Sequence, residues 1–154
     1  MIIGEVGLNH LGSEDYANEY VNFHLNNKFE CLSFQIRENK FYLREEKKHL
    51  QLDVSFYEKI VENYCNTENK KIGLSVSNLD SIKNIINLKF DFYKILSAAS
   101  KDINLIDTLL EKTNSDIYIS IGSLDFIEIN KIIEMYINNK RVKFNYTQLS
   151  YNNE

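Results

Sequence analysis

The chain has 154 residues, 44% of them hydrophobic and 26% charged, with a formal net charge of −4. That length supports one domain with a substantial core, and the acidic balance, with no basic stripe carrying interleaved aromatics, excludes the footprint of a nucleic-acid binder. No apolar run approaches the ~18 residues of a membrane span, and the chain opens on a strand pattern rather than a signal peptide, so a cytoplasmic protein is expected.

A first strand is predicted over 2–8, where an apolar run carries Glu5 in its middle. A carboxylate in such a strand needs a partner or a chemical role. It is either the acid of a site or a group paired to a core donor. The polar turn after it, with Asn9, His10 and Gly12, leads to a helix over 14–26, with Ser13 as its N-cap and Glu14 and Asp15 on its positive end. A strand over 31–36 follows, and then a charged insert over 37–53, expected to be a solvated loop with a partial helical turn. Helical spacing marks 55–66, 81–88, 103–112 and 127–138, the last through Ile129, Ile132, Ile133 and Tyr136. Between these helices, β-branched and aromatic runs mark strands over 72–76, 92–96, 117–121 and 142–146. No proline interrupts the pattern. His24 and His49 are expected at the surface, the run 44–48 as a solvated charged face, and Cys31 and Cys65 as buried thiols in a reducing compartment.

Strict alternation of strands and helices implies a parallel α/β sheet with right-handed crossovers. Such proteins place their chemistry at the carboxyl ends of the strands. Here those ends carry Asn9 and His10, Gln35 and Arg37, Ser75, Ser77 and Asn78, Ser97, Ser120 and Gly122, and Thr147 and Gln148. They would converge on one pocket if the sheet curves. No strand is followed by G-x-G-x-x-G, a Walker lysine motif or a Gly-x-Ser-x-Gly elbow, so nucleotide and triad chemistry have no support.

Several of these segments together form a recognisable pattern. Glu5-Val6-Gly7-Leu8-Asn9-His10-Leu11-Gly12 resembles the first strand and loop of the sialic acid (N-acetylneuraminate) synthase family. Phe34-Gln35 resembles its second-strand K-F-Q, and Tyr93-Lys94-Ile95-Leu96-Ser97 its fourth-strand [FY]-K-I-x-S. Ser120-Ile121-Gly122, followed by Ile127-Glu128-Ile129, resembles its fifth-strand S-T-G-M and the helix after it. The resemblance covers the whole chain and implies a (β/α) TIM-type barrel, partial here, with about six parallel β/α units and no seventh or eighth strand. It implies a transferase that condenses phosphoenolpyruvate with an N-acylated aminosugar such as N-acetylmannosamine, with Mn²⁺ or Mg²⁺ polarising the sugar aldehyde.

On this resemblance Glu5 is the candidate catalytic acid, and Asn9, His10, Gln35, Lys94, Ser97 and Ser120 are candidate substrate-binding residues; no metal ligand is assigned. Lys94 with Ser97 and Ser120 would suit an anion, the serines donating beside one positive charge. Each has an ordinary alternative. Asn9 and His10 could form a turn capping the first helix, Gln35 could be a satisfied core amide, Lys94 could snorkel past the strand end, and strand-end serines are common. The chain departs from the family pattern at Ser33, where a lysine is expected, at Ala99, where an acid is expected, and at Tyr146, where a histidine metal ligand is expected. These departures imply weak or absent turnover. The alternative is a non-catalytic barrel that binds a sugar or a partner chain in surface-polysaccharide biosynthesis. A six-stranded barrel cannot close alone, so a homo-oligomer or a completing partner chain is expected.

Overall fold

The computed structural model describes residues 2–146. Six strands form one sheet in sequential order: β1 (Ile3–Gly7), β2 (Cys31–Gln35), β3 (Lys71–Val76), β4 (Phe92–Ile95), β5 (Asp116–Ser120) and β6 (Val142–Asn145). Every neighbouring pair is parallel. This is the parallel sheet that the alternation predicted and the partial β/α barrel that the resemblance implied.

The helices α1 (Glu14–Asn26), α4 (Val54–Cys65), α5 (Ile103–Lys112) and α6 (Phe126–Tyr136) each begin at a side-chain cap. Ser13 Oγ accepts from Tyr16 N–H, Asp53 from Ser55 N–H and Asp102 from Leu105 N–H, and Asp125 forms a reciprocal capping box with Glu128. Each cap satisfies a helix N–H that would otherwise be unpaired. Behind the caps, Ala17, Val21 and His24 on α1 and Phe56, Ile60 and Tyr64 on α4 form buried stripes at helical spacing. They pack with Val6, Leu32, Phe34, Ile72, Leu74, Tyr93, Ile95, Ile117 and Ile119, the outward-facing strand residues, in the main core.

The opposite parity of the strands makes the inner face. Near its amino end, Ile3, Cys31, Phe92 and Tyr118 form a second, smaller apolar cluster. Gly73 leaves the room that Phe92 fills, since a Cβ there would stand 2.1 Å from the ring.

Several sequence expectations are corrected. Residues 81–88 form successive turns, not a helix: Ile82, Ile85 and Leu88 N–H donate to carbonyls three residues back. Asn84 and Asn87 are poor helix formers in a segment too short to nucleate a helix cheaply, but Ile82 and Ile85 are still buried. The insert 37–53 contains two single-turn helices, α2 (Asn39–Tyr42) and α3 (Glu45–Lys48), and is anchored by buried Tyr42, Leu50 and Leu52. His24 is completely buried, not at the surface, while Cys65 is exposed and only Cys31 is buried. His49 and most of 44–48 are exposed, as expected.

Candidate functional site

Glu5 sits where β1 departs from regular pairing. The register slips between Glu5 and Gly7, which pairs with Phe34, and Gly7 takes φ +59°. Glycine accepts that left-handed conformation without a Cβ penalty, which makes it the natural residue for a bulge. The bulge ends β1, and the chain turns back through Asn9 N–H to Val6 O at 2.9 Å.

From this position the Glu5 carboxylate reaches across the inner face. It is ion-paired with Lys94 of β4. Ser75 Oγ of β3 donates to it, lying 3.1 Å from Oε1 and 3.3 Å from Oε2. Ser33 Oγ of β2 lies 3.2 Å from Ser75 Oγ and 3.3 Å from the Phe34 carbonyl. Because a serine has one proton and Ser75 directs its own at Glu5, Ser33 can only donate within the serine pair, and its single proton is shared with the Phe34 carbonyl. Four strands thus contribute to one network, Ser33 to Ser75 to Glu5 to Lys94. The Glu5 and Lys94 side chains keep 33% and 24% of their exposure, so the pair is partly solvated and contributes little to stability.

Above this layer, at the carboxyl ends of β2, β3 and β4, a cleft of about 450 Å³ is lined by residues including Gln35, Arg37, Glu38, Ser77, Asn78 and Ser97. Arg37 donates to both Glu38 oxygens, each at 3.1 Å, and its guanidinium lies 4.6 Å from the Phe41 ring centroid. Ser77 Oγ also donates to Glu38 at 3.0 Å. The Arg37 hydrogen bonds hold the Glu38 carboxyl below the usual carboxylate range. The cleft therefore contains one cation and one anion already matched to each other.

The structure brings Gln35 and Ser97 to the cleft and Glu5 and Lys94 to the network below it. The other candidates join neither group. Asn9 is exposed in its turn. His10 is fully buried, accepts from Gly12 N–H through Nδ1 at 3.0 Å, and lies 6.3 Å from the ring of Phe34 in the sheet–helix core. Ser120 is buried at the end of β5, in register with Asn145 of β6. At the departures, Ser33 is inside the network, Ala99 is buried in a short 3₁₀ turn (Ser97–Ala99), and Tyr146 is 76% exposed. Thr147 and Gln148 lie outside the described residues. Ser75 and Arg37 stood among the polar strand ends expected to converge but not among the candidate substrate-binding residues, and Glu38 was missed. Ser75 had a readable signal, since Gly73, Ser75 and Ser77 share the small, polar parity of β3 that must face the interior.

A divalent cation fits this arrangement poorly. Among the described residues no three His, Cys, Asp or Glu side chains converge as a metal centre, and the carboxylate on the inner face already has an ammonium against it. The described donor set does not build the site that the resemblance implies.

The sequence model of the NeuB family matches residues 18–150. The chain belongs to the NeuB family. The architecture agrees with solved structures that resemble it. One is the N-acetylneuraminic acid (sialic acid) synthetase of Leptospira borgpetersenii serovar Hardjo-bovis, solved with citrate, at TM-score 0.81 and 18% identity over 97% of this chain and 54% of that one. Another is a putative spore coat polysaccharide biosynthesis protein E of Chromobacterium violaceum ATCC 12472, at TM-score 0.75 and 14% identity over 97% and 49%. The chain spans about half the length of these two proteins. No curated protein sequence matches it. No helix among the described residues is long and apolar enough to cross a membrane.

Proposed function

We propose that this NeuB-family chain is a sialic acid synthase-like, cytoplasmic protein of carbohydrate biosynthesis. Its substrate class is phosphoenolpyruvate and an N-acylated aminosugar, and its condensation activity is weak or absent. The observation that carries this reading is the meeting of Glu5 and Lys94 on the inner face, because both belong to the strand motifs that resemble the family. Gln35 and Ser97, from the same motifs, line the cleft above. Lys94 supplies one positive charge for an anion, and the cleft's amides and hydroxyls suit a sugar. Ser33 in place of a lysine removes one charge-assisted bond, worth about 1.5–3 kcal/mol, or roughly one to two decades of affinity.

The test is calorimetric titration of phosphoenolpyruvate into the wild type and Lys94→Ala, with nonulosonate formation assayed in Mn²⁺. The expected result is weak binding that the substitution abolishes, with little or no product. Equal binding by both proteins removes the anion site, and robust metal-dependent turnover removes the claim of depleted activity.

A second reading, a non-catalytic sugar- or partner-binding barrel, is favoured by one feature: Lys94 and Arg37 are each matched by a glutamate, which leaves the site without net charge. Binding of N-acetylmannosamine with no binding of phosphoenolpyruvate would select it.

A further inference from the structure

Glu5 stands on β1 and Lys94 on β4, with β2 and β3 between them. Adjacent strands lie about 4.8 Å apart, so the contact spans the concavity of the sheet over side chains that must stay short. The intervening strands present Ser33, Gly73 and Ser75 there. Ser33 occupies the position where the family pattern has lysine, and a long side chain at this fully buried position would fill the space over which Glu5 and Lys94 meet. Ser75, backed by Ser33, donates to both carboxylate oxygens, so Glu5 is held in place by β3 as well as by its ion pair.

We propose that Glu5 is a built-in competitor for the anion at Lys94: a phosphate dianion gains this lysine only by displacing the carboxylate. This rests on the reading of Lys94 as an anion site and adds a reason for weak binding beyond the missing lysine. The displaced carboxylate remains tethered on the same face by Ser75 and repels the incoming dianion, so the competition acts twice.

Glu5→Gln isolates the effect. The amide keeps an oxygen that accepts from Ser75 and removes the charge that neutralises Lys94, so the fold is retained, which a thermal melt checks. Inorganic phosphate and phosphoenolpyruvate are titrated separately into the wild type, Glu5→Gln, Lys94→Ala and the double variant, so that affinity for phosphate alone is distinguished from affinity for the whole enolate ester. The expected result is that Glu5→Gln binds both about tenfold more tightly than the wild type, about 1.4 kcal/mol, and that the double variant loses the gain. If Glu5→Gln binds like the wild type while Lys94→Ala binds more weakly, the competition is refuted and the anion site stands. If the double variant keeps the gain, the effect is general charge removal and the proposal is overturned. If all four proteins behave alike, the anion site itself is gone.

Discussion

Two buried polar atoms, Tyr93 Oη and His10 Nε2, have no hydrogen-bond partner among the described residues. A buried hydroxyl without a partner costs its desolvation and returns nothing. Tyr93→Phe should therefore leave the urea midpoint unchanged or raise stability by up to about 1 kcal/mol, whereas a loss of that size would show that the hydroxyl is bonded, for instance to an internal water. His24 is the opposite case. Its Nε2 lies 3.1 Å from the Phe29 carbonyl and must donate to it, and in the neutral ring Nδ1 then accepts from Tyr64 Oη at 2.5 Å. Burial, and then the nearby Lys70 ammonium, push the His24 pKa below its ordinary 6.5, and burial does the same at His10. The folded chain therefore binds these protons less readily than the unfolded one. The sign follows: their contribution to stability is fully present above about pH 6.5 and is lost as pH falls from there toward the folded values. Urea midpoints measured from pH 7.5 to 5 should decline, and His24→Gln should be less stable at pH 7.5 but show a shallower decline.

At the scale of elements, two loops are pinned more tightly than their composition suggests. Gly12 has φ +79°, and a Cβ there would stand 1.6 Å from the backbone oxygen of His49. The β1–α1 loop is thus closed against the charged insert. Gly12→Ala should cost about 1–3 kcal/mol from backbone strain, with a further penalty for moving the insert, read as a lowered denaturation midpoint. The turns over 81–88 are anchored by Ile82, which is fully buried. Ile82→Ala should cost about 2–5 kcal/mol, as for other large core truncations. A value near zero would mean that this segment packs differently from the structure described. The sequence misread the segment 81–88 as a helix for one reason. Apolar spacing reports which residues are buried, and it did so correctly at Ile82 and Ile85, but it does not distinguish a helix from turns that bury the same residues.

For the molecule as a whole, the open sheet is the dominant physical fact. Among the described residues β1 pairs only with β2, and β6 only with β5. Two edges and a partly apolar inner face carrying Ile3, Phe92 and Tyr118 are left for another chain or segment to cover. Expressed by itself, the 154-residue chain is expected to self-associate at micromolar concentration. Sedimentation velocity checks this, and a stable monomer over that range would count against it.

The parallel order of the strands and the helix starts at Glu14 and Ile103 were determined by sequence alone, because period, alternation and capping are local properties that survive into the fold. Glu5 and Lys94 could be singled out for the same reason, as charges inside apolar runs. What only the tertiary structure decided is which charges face each other. The pairing of Glu5 with Lys94 joins residues 89 positions apart, and it depends on the curvature of the sheet and on the small residues of β2 and β3 between them. The burial of His24 likewise depends on Tyr64 arriving from α4, 40 positions away. Contacts of that span are set by how the elements pack, and no local pattern in the chain encodes them.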